Sequence, residues 1–178
     1  MRTLFAAALL AALSTGLAAD DKGTPVEWGG MKSTAPAGWK KETPMDKLGL
    51  RVGQFKLPRA EGEADAELAL FVTKGGGSTE QNLERQVKKF ELEKDAKPAV
   101  TKMKVGTYDA VYQDLTGTLL KKFPPFDPNA KITRVEKQRQ IYVIFEGKDD
   151  VFSLTLLGPA KTVEKNKKDF DEWLKNFK

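Results

Sequence analysis

Three stretches of the chain are apolar on both sides of an extended strand: LALFVT (68–73), RQIYVIFEG (139–147) and VFSLTLLG (151–158). A strand with one face in water alternates apolar and polar residues, whereas a continuous apolar run belongs to a strand covered on both faces. A chain with three such runs needs a sheet with material packed over each side. The last two runs are separated only by the tripeptide KDD (148–150). A parallel crossover takes a dozen or more residues, so these two strands form an antiparallel hairpin.

Two segments carry a helical repeat and are the available covers. In STEQNLERQVKKF (78–90), Ser78 and Gln81 have the spacing of a capping box, and Leu83, Val87 and Phe90 recur as one stripe. In PAKTVEKNKKDFDEWLKNFK (159–178), Val163, Phe170, Trp173, Leu174 and Phe177 fall on one side and the lysines on the other. VTKMKV (100–105) and YDAVYQDLTGTL (108–119) read as two strands turning at Gly106. KKFPPFDPNAK (121–131) holds three prolines, which cannot continue a ladder, and reads as a long exposed loop. The pattern predicts about eight strands and two main amphipathic helices. It implies an α+β fold, an αβα sandwich with a central antiparallel sheet.

The first residues stand apart from this pattern. Arg2, the apolar run LFAAALLAAL (4–13) and the small residues of STGLAAD (14–20) have the layout of a secretory signal peptide. The run is shorter than the roughly 20 apolar residues that cross a bilayer. We therefore expect residues 1–19 to be a signal peptide and 20–178 a single domain, with no stable membrane insertion after cleavage. The expected location is exported, periplasmic or secreted. With no Cys in the chain, a lipidated N-terminus and a disulfide-stapled core are both excluded. With no His either, Ser-His and Cys-His nucleophile pairs are impossible and the commonest zinc ligands are missing. Beyond Arg2, 29 basic residues are interleaved with 25 acidic ones, so nothing resembles the clustered basic stripe of a nucleic-acid binder.

Several segments invite a functional reading. Gly75-Gly76-Gly77 precedes a helix start, but no Lys stands before the hydroxyl as a phosphate-binding loop requires, and the spacing is not that of a dinucleotide-binding loop. A strand-to-helix corner is the plainer reading. Asn82 and Arg85 lie three apart on the first helix and share a face. They offer a clamp for a carboxylate or a partner; alternatively Asn82 bonds the preceding loop and Arg85 pairs with an acid. The acidic run Glu61, Glu63, Asp65, Glu67 lacks the spacing of a calcium loop. Phe123 and Phe126 flank two prolines, which lower the ordering cost of binding while the rings supply contact area. The alternative is that both rings tuck onto the core.

PAGW (36–39), Asn82-x-x-Arg85 at the start of the first helix, DLTGT (114–118) and FSLTLLGP (152–159) leading into the last helix occur in an order that resembles PsbP-like domains. That superfamily includes the extrinsic photosystem II protein and a Ran-binding nuclear import factor, and this chain is most similar to its exported bacterial members. Gln86 stands where the resemblance would place an aromatic residue. The resemblance implies an αβα sandwich and a non-enzymatic binding or accessory role; with no His to match metal sites proposed for photosynthetic members, a metal role does not carry over, and no cofactor is expected. The expected partner is another protein of the cell envelope, met through Phe123, Phe126, Asn82 and Arg85. A second expectation is a small-ligand carrier with its pocket between the sheet and the first helix.

Overall fold

The computed structural model describes residues 23–44, 46, 48–124, 127 and 129–178. The expected signal peptide and Phe126 lie outside the described residues. The first elements are β1 (Thr24–Trp28), β2 (Met31–Ala35), β3 (Lys40–Lys41), β4 (Arg51–Leu57) and β5 (Ala66–Lys74). They are followed by α1 (Thr79–Val87), β6 (Phe90–Leu92), β7 (Ala99–Val105) and β8 (Tyr108–Phe123). The chain then makes β9 (Lys131–Glu146), β10 (Asp150–Pro159) and α2 (Ala160–Lys175). One antiparallel sheet has the order β3-β4-β5-β10-β9-β8-β6, with β7 also paired to β8. The three runs that are apolar on both faces thus form β5, β9 and β10, the centre of the sheet.

Side-chain alternation separates the two faces. Ile141, Val143 and Phe145 of β9 join Leu154 and Leu156 of β10 and Leu68 and Leu70 of β5 in the main core. On this face lie Val163, Phe170, Trp173, Leu174 and Phe177, none more than 2% exposed. These are the apolar positions expected of the last helix. The WGGM sequence closes a two-residue hairpin between β1 and β2, with both Gly29 and Gly30 at positive φ. That hairpin sets Trp28 edge-on to Phe145, with ring centroids 4.7 Å apart. Thr162 and Asn166, buried on α2, are satisfied by the loop after β4: Thr162 Oγ1 donates to Ala64 O (2.9 Å) and Asn166 Nδ2 to Pro58 O (2.9 Å).

A mostly buried ion pair ties β9 to β8 beneath α2. Arg139 of β9 donates from Nε to Asp114 Oδ1 (2.8 Å) and from Nη2 to Asp114 Oδ2 (2.7 Å), on β8. The same guanidinium reaches Glu164 on α2. Beside it, Tyr112 OH donates to Asp171 Oδ1 (3.2 Å), which Lys167 also holds.

The opposite face is built differently. α1 lies over β9, β8 and β6, and its inward residues are Asn82 and Gln86. Beneath it the sheet presents Gln113 and Gln140, each 1% exposed, among the buried Leu115, Tyr142 and Ile144. Gln140 Nε2 donates to Gln86 Oε1 (3.3 Å) and Gln113 Nε2 to Leu83 O (3.4 Å). The predicted stripe of Leu83, Val87 and Phe90 is therefore not the buried face of this helix. A glutamine-bearing sheet surface selects a polar helix face, leaves Leu83 and Val87 half-buried, and lets the helix stop at Val87. Phe90 then starts β6, opposite Leu119 of β8.

Candidate functional site

β8 and β9 are each sixteen residues long and outrun their neighbours. β10 ends opposite Gln138, and β6 begins opposite Leu119. Beyond these points Lys121–Phe123 and Lys131–Thr133 continue as a two-stranded arm. At the arm's root, Gly117 pairs with Gln138 but Leu119 pairs with Val135, so β9 carries an extra residue; Lys137 there has φ 55°. Such a bulge bends the strand and increases its twist. The segment expected as one long loop is thus shorter: both its ends are strand, and only 124–130 connects them. The proline argument holds for Pro124 onward but does not reach Lys121–Phe123.

Phe123 ends β8 with 73% of its surface exposed, and Ile132 on the facing strand is 49% exposed. Lys121, Lys122 and Lys131 share this arm, and Arg134 pairs with Glu91 of β6.

Asn82 and Arg85 face elsewhere. Asn82 Nδ2 donates to Gly76 O (3.1 Å) and Ser78 O (2.9 Å), and Arg85 Nη2 donates to Gly76 O (2.7 Å). The structure brings these two together at the glycine corner, away from Phe123. Arg85 meets carbonyl groups there and no carboxylate among the described residues. The capping box is present: Ser78 Oγ accepts from Gln81 N, and Gln81 Oε1 accepts from Ser78 N, both at 3.2 Å. Gly77 has φ 81°, and a Cβ there would stand 2.7 Å from Gln81 Oε1, so the corner needs glycine for both conformation and space.

Between the C-terminal end of α1 and the root of the arm lies a groove of about 750 Å³. Its floor includes Leu119, Val135 and Leu157, and its rim includes Lys88, Lys89, Lys121 and Lys122, with Asp65 and Glu67 at the far edge. Lys89 Nζ donates to Gln86 Oε1 (2.7 Å). Desolvation, and secondarily the charge of Arg85, hold its pKa below the ordinary lysine value. A larger hollow of about 870 Å³ beside the β1–β2 hairpin is lined by Glu27, Lys32, Lys41 and other polar groups and has the more polar lining of the two. The groove was invisible to sequence reasoning because β5, β8, β9, β10 and the turn after α1 each supply part of it. The only sequence signal was the Lys88-Lys89 pair following a helix.

No protein-family model matches the sequence, and no curated protein matches it. Solved structures do. Cyanobacterial PsbP (CyanoP) from Synechocystis sp. PCC 6803 superposes with TM-score 0.55 at 11% identity, covering 93% of this chain and 96% of that one. The chain has a PsbP-like fold. PA94 from Pseudomonas aeruginosa, a protein of unknown function, matches at TM-score 0.47 and 14% identity, over 86% of this chain and 94% of its own. LpqN of Mycobacterium tuberculosis, which is involved in cell envelope biogenesis, matches at TM-score 0.46 and 16% identity, over 88% and 83%. At such identities the likeness to PsbP is one of fold, and the function must be argued from the surface. No described helix is long and apolar enough to cross a membrane.

Proposed function

We propose that this chain is an exported, non-catalytic binding domain that holds another protein of the cell envelope through the β8–β9 arm. The observation that carries the proposal is Phe123: it is 73% exposed, while Phe55, Phe145, Phe170 and Phe177 are each at most 1% exposed. A large aromatic ring held in water on an ordered strand is a contact in waiting, because its surface can be buried at little ordering cost. Phe126, three residues further on, belongs to the same proposed surface. Asn82 and Arg85 enter as the residues that hold the glycine corner. Export is supported by the apolar run at 4–13.

Replacing Phe123 and Phe126 with Ala tests the reading. Burying a whole Phe side chain is worth about 1.5–3 kcal/mol, so the mostly exposed Phe123 contributes under about 1 kcal/mol to folding. The expected result is a nearly unchanged melting temperature with reduced crosslinking to the envelope partner. A collapse in stability would show that the rings belong to the core.

A second reading, a small-ligand carrier, is favoured by the groove at the arm's root. Its volume lies within the range of about 300–1,000 Å³ common to small-molecule sites, and its floor is apolar. Saturable uptake of an amphiphile by the purified protein, reduced by Leu157→Asp, is the result a carrier should give.

A further inference from the structure

We propose that the groove at the root of the β8–β9 arm takes a single-chain amphiphile with an anionic head, a fatty carboxylate being its simplest form. The inference rests on the carrier reading and adds the sign of the head group and the orientation of the chain.

The floor is set by strand register. Leu157 pairs with Gln140 and with Glu67, so all three point to the face that carries α1. Past the bulge, Leu119 and Val135 pair with each other and line the same groove as Leu157. α1 ends at Val87, so this apolar patch is the part of the face beyond the helix. From β10 to β8 this apolar floor spans two strand spacings, about 10 Å, with Glu67 of β5 at its far edge, room for part of an acyl chain lying across the strands.

Charge gives the direction. Lys88, Lys89, Lys121 and Lys122 rim the β8 side, and among the described residues no carboxylate lies within ion-pair distance of any of them. At the opposite edge Glu67 is already engaged, by Arg51 Nη1 (2.9 Å) and Gln54 Nε2 (3.3 Å). The four lysine charges of the groove are therefore gathered at one end, with Asp65, which makes no ion pair among the described residues, at the other. Desolvation and the charge of Arg85 disfavour the charged form of Lys89, and an anion beside it would favour that form. A carboxylate head at the lysines with its tail over Leu119, Val135 and Leu157 satisfies both halves of the site.

Calorimetric titration of the purified protein at pH 8, with each amphiphile below its micellar concentration, tests the inference. The probes are dodecanoate, neutral dodecyl maltoside and cationic dodecyltrimethylammonium. The expected result is one-to-one binding of dodecanoate, about tenfold tighter than either of the others and weakened by salt. Replacing Lys88, Lys121 and Lys122 together with Gln should remove that preference while dodecyl maltoside binding and the melting temperature stay the same. Val135→Asp should weaken all probes. Equal affinity for the three probes overturns the anionic assignment and leaves the carrier reading standing. No saturable binding of any probe overturns both.

Discussion

Removing the guanidinium of Arg139 breaks a cross-strand pair between β9 and β8 on the face that α2 covers. Its side chain is 17% exposed and that of its partner Asp114 is 16% exposed, so the pair is mostly out of water. Breaking a fully buried pair from one side costs about 3–5 kcal/mol, because the survivor keeps its desolvation penalty without its partner. The remaining exposure lets water reach Asp114, and we expect about 2–3 kcal/mol for Arg139→Ala. At about 2–4 °C per kcal/mol for a chain of this size, the melting temperature should fall by about 5–10 °C. Glu164 is 68% exposed, and Glu164→Ala should cost at most about 0.5 kcal/mol although it touches the same guanidinium. Urea unfolding followed by tryptophan fluorescence reads all of this, since Trp28, Trp39 and Trp173 are each at most 3% exposed. The deciding measurement is a double-mutant cycle with Asp114→Asn. The double variant should be more stable than the sum of the single losses implies, with a coupling of about 1–2 kcal/mol. Strict additivity, or a cost below about 1 kcal/mol for Arg139→Ala, would refute the claim that this pair fastens β9 to β8 beneath α2.

Two further outcomes are expected. Gly77→Ala forces a left-handed residue with a Cβ against Gln81 Oε1, and should cost about 2 kcal/mol in thermal or urea unfolding, whereas Gly75→Ala, equally left-handed (φ 59°) but with open space around it, should cost about 1 kcal/mol. Burial first, then the charges of Asp171 and Asp114, raise the pKa of Tyr112 above the ordinary tyrosine range, and burial likewise raises that of Tyr142. The folded state keeps those protons where the unfolded chain loses them, so this stability is complete below about pH 10 and drains away as pH rises further. Ultraviolet titration of the native protein should show fewer phenolates at pH 11 than the urea-unfolded chain; equal absorbance would contradict the burial of both rings.

What could be read from the residues followed how local the physics was. The capping box at Ser78 and Gln81 involves neighbours, and it stands where the spacing put it. The stripe of Val163, Phe170, Trp173, Leu174 and Phe177 was legible because an apolar face must be buried whatever it packs against. Leu83, Val87 and Phe90 misled because their repeat is equally compatible with a helix lying on polar side chains, and Gln113 and Gln140, which decide the matter, are remote in sequence. The sixteen-residue strands were underestimated because Pro124 was allowed to unmake residues before it. Phe123 was legible as a candidate by type, but its exposure depends on β6 and β10 both stopping short of it, a fact of topology. The groove depends on the register of three strands and the end point of one helix, which no local pattern encodes.

The mixed face beneath α1, where Gln113 and Gln140 sit among Leu115, Tyr142 and Ile144, makes the molecule unequal in mechanical terms. Lifting α2 exposes a large greasy area to water and must approach the cost of unfolding the whole chain. Lifting α1 uncovers a smaller apolar area, Leu115, Tyr142 and Ile144, along with amide groups that solvent can satisfy, so it should cost less than lifting α2 and lie nearer the partial openings that proteins sample while still native. One side of the slab is a foundation and the other a shutter, and the neighbourhood of Lys88 and Lys89 can be reshaped without disturbing the aromatic interior.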